Sequence, residues 1–276
     1  MKSIFFLILF SFYLIAAPVK FAVIGDFGLA GKNVENVSKL IKSWKPDFIV
    51  TVGDNNYFEG AASTIDKNIG QYFSDFIYPY KGKYGKGATK NNFWPVLGNH
   101  DWDTNPKPYY DYFPSLNRKS YYSFSVEENN FYMLNSNKTE PDGTTEDSNQ
   151  ADWLKKKMKK NTQGFNFVVF HHPPYTSESE HSSTKRMRWP FKEWGADVIL
   201  SGHQHFYERL EVDGLPYFVN GIGGCSLYGI SKKNKHTVAV YEKNYGAQLV
   251  EIENNKAVIS LYNIKNEMID KIELKK

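Results

Sequence analysis

Five short apolar runs in this chain each stop at a residue that can bind a metal ion. Residues 21–26 (FAVIGD) end on Asp26, 48–54 (FIVTVGD) on Asp54 and 93–99 (FWPVLGN) on Asn99. Residues 165–171 (FNFVVFH) end on His171, and 197–203 (DVILSGH) on His203 with His205 just beyond. Runs of this kind read as buried strands of an α/β sheet, and α/β proteins place ligands at the carboxyl ends of such strands. Asp, Asp, Asn, His and His brought to one edge are poor material for a core, because a buried polar group costs free energy unless it is paired. They are good material for a metal site.

A chain of 276 residues with 41% hydrophobic and 16% aromatic residues can build a sizeable core, which excludes disorder. The net charge of +4 suits an anionic substrate but is too small and dispersed for nucleic acid. The densest basic stretch, Lys155 to Lys160, has Leu154 and Met158 at helical spacing and reads as the solvated face of a helix. Cys225 is the only cysteine, so no intrachain disulfide forms and stability rests on packing and bound metal. Asn36-Val37-Ser38 and Asn137-Lys138-Thr139 match the N-glycosylation pattern.

Lys2 precedes the mostly apolar run Ile4 to Ile15, followed by Ala16, Ala17 and Pro18. A positive start, a short apolar stretch and small residues describe a secretory signal peptide over residues 1–17. Pro18 after the cut, and bulky Leu14 or Ile15 before it, leave an uncleaved anchor as the alternative. Residues 18–276 then form one exported domain, destined for a secreted, periplasmic or lysosome-like compartment.

Periodicity predicts strands at 20–25, 48–53, 93–97, 165–170 and 197–201, with helices at about 33–45, 65–78, 149–160 and 184–194. Ser148 is the expected cap of the third helix. Segments 121–126 and 131–135 suggest a hairpin, and the Pro/Tyr-rich stretch 104–116 shows little regular pattern. Short runs from 209 to 274 look like antiparallel strands. Gly221-Ile222-Gly223-Gly224 reads as a structural turn near the site, since no helical pattern follows it.

Gly25-Asp26-Phe27-Gly28, Gly53-Asp54-Asn55-Asn56-Tyr57, Gly98-Asn99-His100-Asp101, Val168-Val169-Phe170-His171 and Gly202-His203-Gln204-His205 occur in that order. Together they closely resemble the five signature blocks of metallophosphoesterases, specifically the purple acid phosphatases of the small, tartrate-resistant type. The resemblance spans residues 20 to about 225. It implies an α/β fold, a metallophosphoesterase-type β-sandwich of mixed sheets flanked by helices in a single domain.

The resemblance also implies a dinuclear centre. Asp26, Asp54, Tyr57 and His205 would hold Fe³⁺, and Asp54, Asn99, His171 and His203 a divalent Fe²⁺, Zn²⁺ or Mn²⁺, with Asp54 bridging. Many metallophosphoesterases carry a metal-binding His where this chain has Gly28, and Tyr57 looks like the replacement. A phenolate is a hard anionic donor that favours Fe³⁺ over softer divalent ions, and the pair gives a charge-transfer colour. His172 is expected to support the ligands or to pack, because neighbours on an extended strand point to opposite sides.

The implied activity is that of an acid phosphatase, which hydrolyses phosphate monoesters with a metal-bound hydroxide. His100 and His181 are the catalytic candidates for the leaving alcohol, with Asp101 expected to orient the His100 imidazole. The expected partner is a small phosphorylated substrate; nucleic acid and stable membrane association after leader removal are not expected, and the chain is expected to be a monomer. Two alternatives stand beside this reading. One is a calcineurin-like phosphodiesterase or nucleotidase using two divalent ions, the other a secreted binding protein that keeps the site without the activity.

Overall fold

The computed structural model describes residues 18–161 and 163–276; the predicted leader lies outside them. Strand β1 (Val19–Ile24) leads through helix α1 (Lys32–Ser43) to β2 (Phe48–Thr51). A helical stretch follows, in which α2 (Ala62–Ile65) passes through a π turn (Asp66–Gly70) into α3 (Gln71–Phe73). Next come β3 (Phe93–Pro95), α4 (Asn99–Trp102) and α5 (Lys107–Tyr112), then the hairpin β4 (Tyr122–Val126) and β5 (Asn129–Met133). Helix α6 (Asn149–Met158), β6 (Asn166–Val169), α7 (Phe191–Trp194) and β7 (Val198–Ser201) follow. The tail holds β8 (Tyr207–Val212), β9 (Leu215–Asn220) and β10 (Thr237–Tyr241). It ends with β11 (Gly246–Glu253), β12 (Lys256–Asn263) and β13 (Met268–Lys275).

The strands form two mixed sheets, ordered β13-β12-β11-β1-β2-β3 and β10-β8-β9-β7-β6-β5-β4. In the first, β1, β2 and β3 run parallel; in the second, β5, β6, β7 and β9 do. The tail adds antiparallel strands to both sheets, β11 pairing with β1 and β8 with β9, and the hairpin strand β4 pairs antiparallel with β5 at the far edge of the second. This is the expected sandwich of mixed sheets.

Strand periodicity explains how the sheets are held. On β6, Phe167 and Val169 join the cluster between the sheets, whereas Val168 faces the helices outside with Phe170 just beyond the strand. Phe21 of β1 meets Phe131 and Phe167 of the opposite sheet edge-on at 5.1 and 5.3 Å. Each fully buried Phe contributes roughly 2–3 kcal/mol by area and edge-to-face contact about 1 kcal/mol more, so this aromatic layer joins the halves. Helix α1 packs Val34, Val37 and Ile41 against the first sheet. Leu154 and Met158 of α6 and Phe191 of α7 cover the outer face of the second. Ser148 caps α6 as expected, its Oγ accepting from Ala151 N at 3.2 Å.

Two expectations fail locally, both at prolines. The helix predicted at 184–194 is only a 3-10 turn (Lys185–Met187) and the single turn α7, because Pro190 interrupts it. Conversely, α5 forms inside the stretch taken as irregular, since Pro106 and Pro108 fall at its start, where a missing N–H costs nothing. The Asn137 glycosylation match is not presented to solvent. Its amide is buried and donates to Gly98 O at 3.3 Å and Asn135 Oδ1 at 2.8 Å.

Candidate metal centre

The strand tips converge from both sheets rather than from one. Asp26, Asp54 and Asn99 follow β1, β2 and β3, while His171 follows β6 and His203 and His205 follow β7. Because each set is parallel, its carboxyl ends lie at one end of its sheet, and the two ends meet across the sandwich.

Tyr57 Oη lies 3.0 Å from Asp54 Oδ2, 3.3 Å from Asp26 Oδ1 and 3.2 Å from His205 Nε2. His205 Nε2 is 3.5 Å from Asp26 Oδ1. Beside this group, His171 Nε2 stands 3.3 Å from Asp54 Oδ2, 3.2 Å from Asn99 Oδ1 and 3.2 Å from His203 Nδ1. Asp54 therefore belongs to both groups. The geometry brings together all the residues expected to bind metal.

Local backbone geometry explains how. Asp26, Asp54 and His203 have φ of 54°, 53° and 70°, a left-handed conformation that costs an ordinary residue about 1 kcal/mol or more. Each sits in a sharp turn directly after a strand, so the side chain doubles back over the strand tip. The Asp26 carboxylate accepts from His203 N–H at 3.0 Å, tying the two sheets together at the site. Gly28 is required for a different reason. A Cβ there would lie 2.2 Å from the Asn55 carbonyl carbon, and Tyr57 N donates to Gly28 O at 2.8 Å. The bare backbone at 28 is the surface on which the Tyr57 loop lies.

Backbone carbonyls set which imidazole nitrogen faces inward. His171 Nδ1 is 2.8 Å from Val52 O and His205 Nδ1 is 2.8 Å from Ser226 O; a proton on each Nδ1 leaves Nε2 as a lone-pair donor toward the site. His100 Nδ1 is held by Phe58 O at 2.5 Å, with Nε2 3.9 Å from Asp54 Oδ2. Asp101 does not orient that ring, contrary to expectation. Its Oδ2 accepts instead from Gly98 N, Asn55 N and Asn55 Nδ2 at 2.8–3.1 Å, so it staples the Asp54 loop to the Asn99 loop. No sequence signal marks these carbonyls, because every residue type carries one.

His181 reaches the site, its ring stacked on His203 at 4.3 Å. His172 packs beside the ligands, as expected, but strand alternation is not the reason. The chain has left β6 at Val169, and the His172 ring lies 4.9 Å from His171 and 4.5 Å from His203. Its Nδ1 is 2.9 Å from Ser136 Oγ. His171, His172 and His203 can bring donor atoms within 4.8 Å of one another, as can Asp26, Asp54 and His171. The glycine turn at 221–224 is structural as expected, with Gly223 N donating to Gly25 O at 3.0 Å.

The electrostatics fit a cation site. Asp26 and Asp54 are buried, and among the described residues neither pairs with a lysine or arginine. Burial works against charge on Asp54, yet His171 above all, then His100 and His203, hold its carboxyl below the ordinary range. Burial likewise opposes charge on His171, but Asp54 and Asp26 outweigh it and raise the ring to about 9. Burial first, then the charges of Asp54 and Asp26, push the Tyr57 phenol well above its usual value. Lone pairs of carboxylates, amide oxygen and imidazoles meeting at 3.2–3.5 Å repel unless a proton or cation stands between them. Oxygen and nitrogen donors in two groups sharing Asp54 match the ligand chemistry of a two-metal site.

A calcineurin-like phosphoesterase family profile matches residues 19–207. The chain belongs to that family, the metallophosphoesterases. Within it, the sequence is 24% identical to tartrate-resistant acid phosphatase type 5 of Rattus norvegicus, over 84% of this chain and 81% of that protein. It is also 24% identical to purple acid phosphatase 17 of Arabidopsis thaliana, over 92% of this chain and 83% of that one. The fold superposes on a purple acid phosphatase from yellow lupin (Lupinus luteus) seeds with TM-score 0.76 at 15% identity, covering 94% of this chain and 54% of that chain. It also superposes on GAP50, the anchor in the inner membrane complex of Plasmodium, with TM-score 0.74 at 20% identity, covering 94% and 89%.

Proposed function

We propose that this chain is an acid phosphatase that hydrolyses phosphate monoesters at a dinuclear centre of Fe³⁺ and a divalent Fe, Zn or Mn ion. The observation that carries the reading is the Tyr57 hydroxyl, within 3.3 Å of both Asp26 and Asp54 and 3.2 Å from His205 Nε2. A phenol is a poor partner for two carboxylates but a good ligand for a hard trivalent ion. Asp26, Asp54, Tyr57 and His205 would hold the ferric ion, and Asp54, Asn99, His171 and His203 the divalent one. Cations bound there supply Lewis acidity toward phosphate oxygens and acidify water.

The side chains do the rest. His100 is half-exposed at the rim, and its Nδ1 bond to Phe58 O directs Nε2 toward the centre. As imidazolium it hands the Nε2 proton to the leaving alcohol, and as a neutral ring it takes one back. His181, beside His203, supplies a second imidazole to hydrogen-bond the ester. We place this activity in an exported, monomeric protein acting on small phosphorylated substrates.

The test is to load the protein with iron and zinc, record its visible spectrum, and compare an aryl phosphate monoester with the bis-aryl diester. A visible band and monoester preference are expected. A colourless, fully metallated protein that favours diesters or nucleotides would establish the two-divalent phosphodiesterase instead. The Plasmodium protein of the same fold is described as an anchor, so a metal-replete chain inert toward all these esters would point to a binding role.

A further inference from the structure

Between the two histidines of the turn after β7 sits Gln204, which is fully buried. Its Nε2 donates to the His181 carbonyl at 2.9 Å, and its Oε1 accepts from Ser179 Oγ at 2.5 Å. The Tyr228 hydroxyl lies 3.2 Å from the same Oε1 and 3.0 Å from His203 O, sharing one proton between them. The rings on either side repeat the pattern. His181 stacks on His203 at 4.3 Å, and Tyr228 stacks on His205 at 5.0 Å.

The loop that carries His181 is also anchored at its start. Glu208, buried in β8, accepts from Thr176 Oγ1 at 3.0 Å and Ser177 N at 2.8 Å, which pins the start of the loop. Beyond Ser177, Glu178 bonds to the segment around Lys232 at the surface. Only Gln204 reaches His181 and Ser179 from beneath, among the hydrogen bonds of the described residues. A buried primary amide is costly unless it is hydrogen-bonded, and here its Nε2 and Oε1 both bond to the loop that brings His181 to the centre.

We propose that Gln204 is a positioning residue, which fixes His181 against His203 and so registers the 173–184 loop to the turn bearing two of the metal-binding histidines. The inference rests on the phosphatase reading for its kinetic consequence, but the clamp itself does not depend on turnover. Gln204 touches no substrate; it acts through His181.

The test uses full-length, metal-loaded protein and the variants Gln204→Met, His181→Ala and their combination. Gln204→Met is expected to keep its metal content and visible spectrum, and to lose about tenfold in kcat/KM toward an aryl phosphate, comparable to His181→Ala. The double variant should fall no further than either single one, because both remove the same contribution. Amide exchange over residues 178–183 should quicken by about tenfold in Gln204→Met while the strands stay protected. Losses that multiply to about a hundredfold in the double variant, or unchanged exchange in the loop, would overturn the proposal. If Gln204→Met does not fold, Gln204→Glu at neutral pH serves in its place, its carboxylate repelling the His181 carbonyl. Wild-type protein inert toward every ester defeats the phosphatase reading alone, and amide exchange then decides the clamp.

Discussion

The hydroxyl of Tyr57 lies 3.0 Å from Oδ2 of Asp54, two residues only three apart in the chain yet both turned back over the tip of β2. The contact exists because the backbone at Gly28 leaves room for residues 54–57 to lie flat against it, with Gly28 N donating to Asp54 O at 3.1 Å and Tyr57 N to Gly28 O at 2.8 Å. It places a phenol oxygen beside the two carboxylates that would hold the proposed ferric ion.

Tyr57→Phe should therefore remove the visible band while iron remains bound, since Asp26, Asp54 and His205 are untouched. In the metal-free protein burial and the two carboxylates keep the phenol protonated, so ferric loading should release about one more proton from wild type than from the variant. Absorption spectroscopy with metal analysis, and unbuffered proton-release titration, measure the two effects. A variant that keeps the band would assign the colour elsewhere.

Asp54 and His100 separate binding from turnover. Asp54→Ala is expected to lose both metals and nearly all activity, because its Oδ2 faces both donor groups. His100→Ala should keep the metals and lose about 10²–10⁴-fold in kcat, the usual range for a general acid. Metal content by mass spectrometry alongside kinetics tests the pair; full occupancy in Asp54→Ala would refute the bridging role.

Gly28→Ala probes the seat of the tyrosine loop. The added methyl would meet Asn55 and Asn56 backbone atoms at 2.2–2.4 Å, and overpacking of this kind costs about 1–3 kcal/mol. The melting temperature should drop by several degrees, with weaker iron binding than in wild type. Thermal melts and ferric titration report on both.

Asp270 offers a stability test remote from the metals. It accepts from Arg209 Nε and Nη2 at 2.7 and 2.9 Å and from Tyr207 Oη at 2.8 Å, bracing β8 against β13. Burial alone would raise its pKa, but the hydrogen bonds from Arg209 and Tyr207 outweigh it and hold the carboxyl low. A depressed native pKa gives stability that is complete above the unfolded value near pH 4 and is lost as pH falls through the lower native value. Asp270→Asn should thus cost about 2 kcal/mol at pH 7, and the two melting curves should converge only in acid below about pH 4. A gap that stays constant down to pH 3 would show the charge to be irrelevant.

Much of the centre was legible in sequence because its logic is one-dimensional. An apolar run long enough for a buried strand, followed by a ligand-type side chain (after a glycine everywhere but at His171), places that side chain at a strand tip whatever the surrounding topology. Asp26, Asp54, Asn99, His171 and His203 all obeyed this rule, and Tyr57 followed from its spacing to Asp54. His172 escaped it because alternation holds only while the chain stays extended, and β6 ends at Val169. Asp101 escaped for a related reason. Adjacency to His100 suggested a pairing, but the first turn of α4 points the carboxylate at Gly98 and Asn55 instead.

The chain's own order of residues settled which donors exist, that they come at strand ends, and that a tyrosine stands three residues after Asp54 while position 28 is glycine. Folding in three dimensions decided that the donors come from two facing sheets, that Phe58, Val52 and Ser226 carbonyls aim the imidazoles, and that Gln204 bonds to the backbone of His181. Those choices are made by main-chain atoms and by contacts between segments far apart in sequence, and neither is encoded in the identity of any single side chain.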